Sequence, residues 1–185
     1  MTPIKKKYET DRLVLKVLER RDAPLVQSFY ERNLFDFGKY EPLPTAEVHT
    51  LAFHERCLDY ESDAFKQGKL VRFFIFTKDN PMQIIGTVSY RNIRQAFYGC
   101  CEVGYKIDMA YRRRGYAHEA IGFANSLMQK NYSLHRIEAL VMTDNTASIS
   151  LLEGLGFQRE GLLRDKLCLK GTWYDHYMYS KIFND

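Results

Sequence analysis

The sequence of 185 residues contains no apolar run approaching the roughly 20 residues that a membrane-spanning helix needs. Its start, Met1-Thr2-Pro3-Ile4-Lys5-Lys6-Lys7, lacks the apolar stretch of a secretory signal. A soluble, cytoplasmic protein without a membrane partner is therefore expected. The four cysteines, Cys57, Cys100, Cys101 and Cys168, form no Cys-x-x-Cys pair, which argues for reduced thiols rather than disulfides or a zinc site. His54 and Cys57 share helical spacing, but two ligands without further partners make a poor zinc site, and no metal is expected. Neither Gly-x-Gly-x-x-Gly nor the phosphate loop ending in Gly-Lys-Ser/Thr occurs, which argues against a Rossmann dinucleotide site and a P-loop nucleotidase. The Gly-x-Ser-x-Gly elbow of serine hydrolases is missing too. No repeat, low-complexity tract or Pro/Gly/Ser-rich linker divides the chain, so one domain over 1–185 is expected, with 1–8 as a flexible arm solvated by Lys5, Lys6 and Lys7.

What is present is ample for a packed core: 45% hydrophobic and 14% aromatic residues. A formal charge of +4 suits an anionic ligand without requiring one. Arg12 to Leu18 alternates as a strand, and Asp22 is placed to open a helix running to about Asn33. After a loop carrying Glu41-Pro42-Leu43-Pro44, Thr45 to Gln67 has helical spacing. Three strand-like runs follow, Leu70 to Thr77, Ile84 to Arg94 and Tyr98 to Ile107, then a helix from Ala117 to about Asn131. Ile137 to Met142 reads as a strand and Asn145 to Leu155 as a helix stopped by Gly156. Phe157 to Leu169 and Trp173 to Ile182 read as an antiparallel pair. This order predicts an α+β fold with a mostly antiparallel sheet and one parallel strand–helix–strand crossover.

Arg112-Arg113-Arg114-Gly115-Tyr116-Ala117 lies between a strand and a helix. Free N–H groups at a helix start, together with the helix dipole, favour a negative charge there, and arginine adds a two-pronged partner for phosphate. The same residues also suit an exposed basic turn capping a helix. No basic–aromatic interleaving accompanies them that would mark a nucleic-acid surface.

These motifs resemble the RimJ/RimL branch of the GNAT superfamily, whose named members acetylate N-terminal amines of ribosomal proteins. The resemblance is carried by Thr10-Asp11-Arg12-Leu13-Val14-Leu15, Ile85-Gly86, Val103-Gly104-Tyr105-Lys106-Ile107, Arg112-x-x-Gly115-x-Ala117, Asn145-Thr146-Ala147-Ser148, Leu155-Gly156-Phe157 with Glu160-Gly161, and Gly171-Thr172-Trp173-Tyr174-Asp175-His176, in that order. It implies a GNAT fold of about seven strands with helices on both faces, and acetyl-CoA as acyl donor. Residue by residue, it implies pyrophosphate contacts from the backbone of Arg112, Arg113, Arg114, Gly115, Tyr116 and Ala117. Pantetheine would pair with the strand edge at Tyr105, Lys106 and Ile107, with Asn145 on the pantetheine arm and Ser148 near the sulfur. Asn145 also suits a helix cap, and Ser148 a solvated helix position.

Direct transfer requires a neutral amine, a donor for the oxyanion, and a proton for the departing thiolate. A backbone N–H near Lys106 or Ile107 is a candidate for the second task and Ser148 for the third. Glu102 is the favoured base and is equally readable as a strand carboxylate paired with a cation; Asp165 and Asp175 are alternatives, and a further carboxylate position of the branch falls on Leu167. The acceptor is a protein N-terminus or a small amine. A noncatalytic coenzyme A-binding module, and a monomer or homodimer, are compatible with the same residues.

Overall fold

The computed structural model describes residues 4–40 and 46–183. Eight strands form one sheet: β1 Lys7–Glu9, β2 Leu13–Lys16, β3 Val71–Thr77, β4 Gly86–Arg94, β5 Cys100–Ile107, β6 Arg136–Met142, β7 Gln158–Leu169 and β8 Thr172–Ile182. The helices are α1 Ala23–Phe37, α2 Leu51–Lys66, α3 Tyr116–Tyr132 and α4 Thr146–Gly154. The strand order is β1-β2-β3-β4-β5-β6-β8-β7, and every neighbouring pair is antiparallel except β5 and β6. Among the described residues no helix is long and apolar enough to cross a membrane.

The period of two in the central strands serves two cores. Leu13, Leu15, Val71, Phe73 and Ile75 face Ala120, Ile121, Ala124 and Met128 of α3, while Val14, Phe74 and Phe76 face Val26, Phe29 and Leu58 of α1 and α2. Helices thus cover both faces, and each central strand is buried on both sides. The adjacent Cys100 and Cys101 are both buried, and Cys57 and Cys168 half-buried, all as free thiols.

Three boundaries differ from the sequence reading. Lys7 and Tyr8, expected in a flexible arm, pair with Lys16 and Leu15 and give the sheet its eighth strand. α1 continues a turn past Asn33, whose buried amide donates to Phe29 O at 2.9 Å and accepts from Met109 N at 3.1 Å, so that Phe37 can pack on Phe29 and Tyr30. The expected helix from Thr45 is instead a 3-10 turn, Ala46–His49, followed by α2, whose N-cap Thr50 accepts from Phe53 N at 3.2 Å. Thr45 itself and the Glu41-Pro42-Leu43-Pro44 loop lie outside the described residues.

Candidate active site

The parallel pairing of β5 with β6 is confined to three positions, Cys100 with Arg136, Cys101 with Ile137 and Glu102 with Glu138. β6 continues along β8 to Met142, and β5 along β4 to Ile107, so the two strands part beyond Glu102 and leave an open edge inside the sheet. Which groups face that edge follows from alternation. Asp108 N donates to Ile85 O at 2.9 Å, and antiparallel partners exchange hydrogen bonds at every second position. Counting back along the register, Lys106, Gly104 and Glu102 direct their main-chain groups to β4, and Tyr105 and Ile107 direct theirs into the gap. Of the three residues expected at the edge, Lys106 is therefore the exception. Its ammonium sits on the α1/α2 side, 3.4 Å from the Tyr30 hydroxyl.

β5 ends at Asp108, whose carboxylate caps a 3-10 turn by accepting from Ala110 N at 3.0 Å and also holds Arg32 of α1 at 3.2 Å. The chain then makes two left-handed steps, at Arg113 (φ 57°) and Gly115 (φ 78°), before α3 begins. A Cβ on Gly115 would lie 3.2 Å from Arg12 Nη2, so conformation and space both favour glycine there. Tyr116, Ala117 and His118 open the helix with N–H groups that no helical carbonyl can reach. Arg112 is spoken for: its N–H lies 3.5 Å from Met109 O, its Nε donates to Ile107 O at 3.2 Å, and its guanidinium forms a two-pronged ion pair with Asp36. Arg113 and Arg114 stay exposed.

Arg12 and Glu119 brace this turn, and neither stood out in the sequence. Glu119 accepts from Thr10 Oγ1 at 2.6 Å, Arg12 N at 2.9 Å and Arg12 Nε at 2.7 Å, while Arg12 Nη1 donates to Arg114 O at 3.0 Å. Burial alone would raise the Glu119 carboxyl, but these donors outweigh it and hold it below its ordinary value. The signal was the threonine and arginine of the opening Thr-x-Arg-Leu block, which alternation of apolar residues leaves unexplained.

Across the gap stands α4. Asn145 Oδ1 caps it by accepting from Ser148 N at 3.2 Å, which leaves the amide NH2 for another partner. Tyr105 reaches from β5 to donate to Ser148 O at 3.3 Å, tying the parted strand to the helix, and burial pushes its phenol up to about 12. The Asn145 and Ser148 predictions thus fall together, at one helix start facing one strand edge.

A family model described as an acetyltransferase (GNAT) domain matches residues 12–158. The chain belongs to the GNAT acetyltransferase family. It is 31% identical over 172 residues to the [Ribosomal protein uS5]-alanine N-acetyltransferase of Escherichia coli K12, covering 93% of this chain and 88% of that protein. The ribosomal-protein-S5-alanine acetyltransferase structure from Vibrio fischeri superposes with a TM-score of 0.92 at 29% identity, covering 98% of both chains. RimJ of Mycobacterium smegmatis, solved with a CoA disulfide, shares the fold at a TM-score of 0.85 and 23% identity, over 92% of this chain and 81% of that one.

Within this GNAT site Glu102 lies at the last β5–β6 pair, where the strands begin to part. Its carboxylate accepts from Arg91 Nε at 3.2 Å and Asn92 Nδ2 at 2.8 Å. Asn92 is itself left-handed (φ 52°), at a register slip between Arg91 and Arg94 that aims it at the carboxylate. The alternative carboxylates sit elsewhere. Asp175 accepts from Asp165 N at 2.9 Å and pins an irregularity in the β7–β8 hairpin. Among the described residues no three His, Cys, Asp or Glu side chains group as metal ligands. His54 donates from Nε2 to Val48 O at 2.8 Å and stacks on Tyr30.

Proposed function

We propose that this N-acetyltransferase moves an acetyl group from acetyl-CoA to the N-terminal α-amine of a protein, a ribosomal protein of the S5 type, as one domain acting in the cytoplasm. The observation that carries the reading is the parted β5–β6 edge with the Gly115 turn at one end and the Asn145–Ser148 helix start beside it. It stands in a chain 31% identical to an enzyme of that activity.

Acetyl-CoA supplies the acyl group already activated as a thioester. The pyrophosphate suits the N–H groups from Arg113 to Ala117, with the exposed Arg113 and Arg114 side chains adding charge. The pantetheine arm, with amide groups of its own, suits the main-chain donors and acceptors of Tyr105 and Ile107 and the spare amide NH2 of Asn145. Arg112 holds the turn against α1 rather than the ligand. Ile107 N–H is the oxyanion donor because, unlike that of Lys106, it is turned to the gap. The Ser148 hydroxyl stands at the same edge to hydrogen-bond the departing sulfur.

Glu102 takes the amine proton, directly or through one water. The demand on it is small. A peptide α-amine has a pKa of about 7.8, so about a tenth is neutral near pH 7, whereas a lysine amine near 10.4 costs about 3.5 kcal/mol more to deprotonate. A carboxylate already shared with Arg91 and Asn92 has less to do for an N-terminus than for a lysine.

Release of coenzyme A thiol is the test, with acetyl-CoA and peptides beginning Ala, Ser or Met, each beside an N-terminally blocked, lysine-containing counterpart. Turnover on the free peptides alone is expected. Turnover on small amines but no peptide would overturn the acceptor assignment.

A further inference from the structure

Between α1, α2 and the sheet lies a chamber of 220 Å3, on the face of β5 opposite α3. Leu34 and Phe37 of α1, Phe53 and Leu58 of α2 and Phe74 of β3 give it an apolar wall. The polar side chains on that wall are already engaged. His54 Nε2 donates to Val48 O at 2.8 Å, Arg72 Nη1 meets Glu61 Oε1 at 2.5 Å, and Lys106 Nζ donates to the Tyr30 hydroxyl at 3.4 Å. Burial pushes the Cys57 thiol up, so it lines the wall as a neutral group. What the chamber offers a visitor is therefore volume and apolar contact. An engineered cavity of about 150 Å3 lined by Leu, Ile and Phe binds benzene, so this one has room for a leucyl or phenyl side chain.

The chamber borders the path that the acceptor would take. Lys106, which lines it, stands between Tyr105 and Ile107, the two residues whose backbone faces the gap. Alternation puts Gly104 and Glu102 on the Lys106 face of β5. A Cβ on Gly104 would touch only Ser89 Oγ, at 3.6 Å, so no β5 side chain stands between Glu102 and Lys106 on that face. An extended segment whose amine meets Glu102 can lie on this bare strip and run toward the chamber. From Glu102 to Lys106 is roughly 13 Å of strand. At roughly 3.3–3.6 Å per residue, the second and third residues of an N-terminus reach roughly 7–11 Å beyond the amine. Consecutive side chains of an extended segment point to opposite sides, so only one of the two can enter.

We propose that this chamber selects the acceptor by its second or third residue: it takes one apolar side chain, of leucine or phenylalanine size, from the protein N-terminus. The proposal rests on the N-terminal reading above and adds a sequence preference to it. A side chain that enters exchanges water for an apolar wall, and the gain grows with the apolar area it buries. An asparagine of nearly the same shape gives up its hydrogen bonds to water on entry and meets an apolar wall in their place.

Initial rates on Ala-Leu- and Ala-Asn- peptides, and on the same pair moved to position three, test it. The expected kcat/KM for leucine exceeds that for asparagine by about tenfold or more at one of the two positions and by little at the other. Cys57→Phe on α2 and Leu34→Trp on α1 fill the chamber from its two helical walls, and each should bring that ratio toward one. Cys57→Ser, which changes the volume little, should keep it. Each ratio is taken within one protein, so partial loss of folded enzyme cancels. Equal rates on leucine and asparagine at both positions in the unaltered enzyme overturn the proposal whatever the variants do, as does a ratio that survives both filling variants. Turnover on no peptide at all sinks the N-terminal reading and this proposal with it, a result distinct from turnover without preference.

Discussion

Glu102 holds Arg91 and Asn92 while being asked to accept a proton, and the two roles predict different consequences of losing its charge. Glu102→Gln keeps the size and one acceptor oxygen, so the strand should survive. As a base it should lower kcat/KM by about 10- to 100-fold, at or below the low end of general acid–base effects, because part of the amine is already neutral. It should also shift the pH–rate profile. A variant that is slower by the same factor at every pH would show that Glu102 only anchors Arg91. The residue scale is also where the sequence was least legible. Lys106 was read as strand edge because its motif is a backbone motif; that its main-chain groups turn to β4 and its ammonium to Tyr30 depends on the register the sheet gives it. That the Arg112 guanidinium is held by Asp36, 76 positions away, is not visible locally either.

Local elements read well where periodicity or a cap marks them. The alternation in β2 and β3, the Asn145 cap of α4 and the glycine stop at Gly156 (φ 81°) are all where the pattern put them. β1 was invisible because Lys7-Tyr8-Glu9 offers one apolar side chain, and a three-residue edge strand is held by pairing rather than by burial. The clamp between the β1–β2 turn and α3 was invisible for another reason: its halves lie 107 residues apart. That clamp should set how well the Gly115 turn is held. Glu119→Ala removes the acceptor of three hydrogen bonds and is expected to cost about 1–3 kcal/mol in stability. It should raise the KM for acetyl-CoA more than it lowers kcat. Melting curves and initial rates over a range of acetyl-CoA check both, and an unchanged KM would detach the clamp from the site.

The start of α2 carries a pH dependence of its own. A carbonyl can only accept, so His54 must carry its proton on Nε2 to bond Val48 O, and its neutral form is the one that fits. Burial, only partly offset by that bond, lowers its pKa below the ordinary 6.5. Between those two values the unfolded chain binds the extra proton and the folded chain does not. The contribution is therefore fully present above about pH 6.5 and is lost as pH falls toward the folded value. His54→Gln, which retains an N–H donor and does not titrate, should show a smaller fall in Tm between pH 7 and pH 5. Parallel curves for the two proteins would mean that the histidine binds its proton equally well folded and unfolded.

At the scale of the molecule the sheet is two pieces joined at a narrow waist. β1 to β5 form one and β6, β8 and β7 the other, with three parallel pairs between them and the α3 and α4 crossovers on one face. The second piece has its own ionic knot: Arg136 bonds Glu138 and Glu160, and Ser180 donates to Glu160, which hydrogen bonds from Arg136 and then Ser180 hold down at about 2. A ligand lying in the gap touches both pieces, so it should act on stability as well as on rate. Coenzyme A at about 100 times its Kd is expected to add about 2.7 kcal/mol. For a chain of this length that is about 5–10 °C in Tm. Gly115→Val, strained by its positive φ and crowded against Arg12, should require a higher ligand concentration for the same shift. The two measurements together locate the binding. A shift kept at equal ligand concentration in Gly115→Val would place coenzyme A away from the turn, and no shift in the unaltered protein would mean that coenzyme A does not bind the folded chain in preference to the unfolded one.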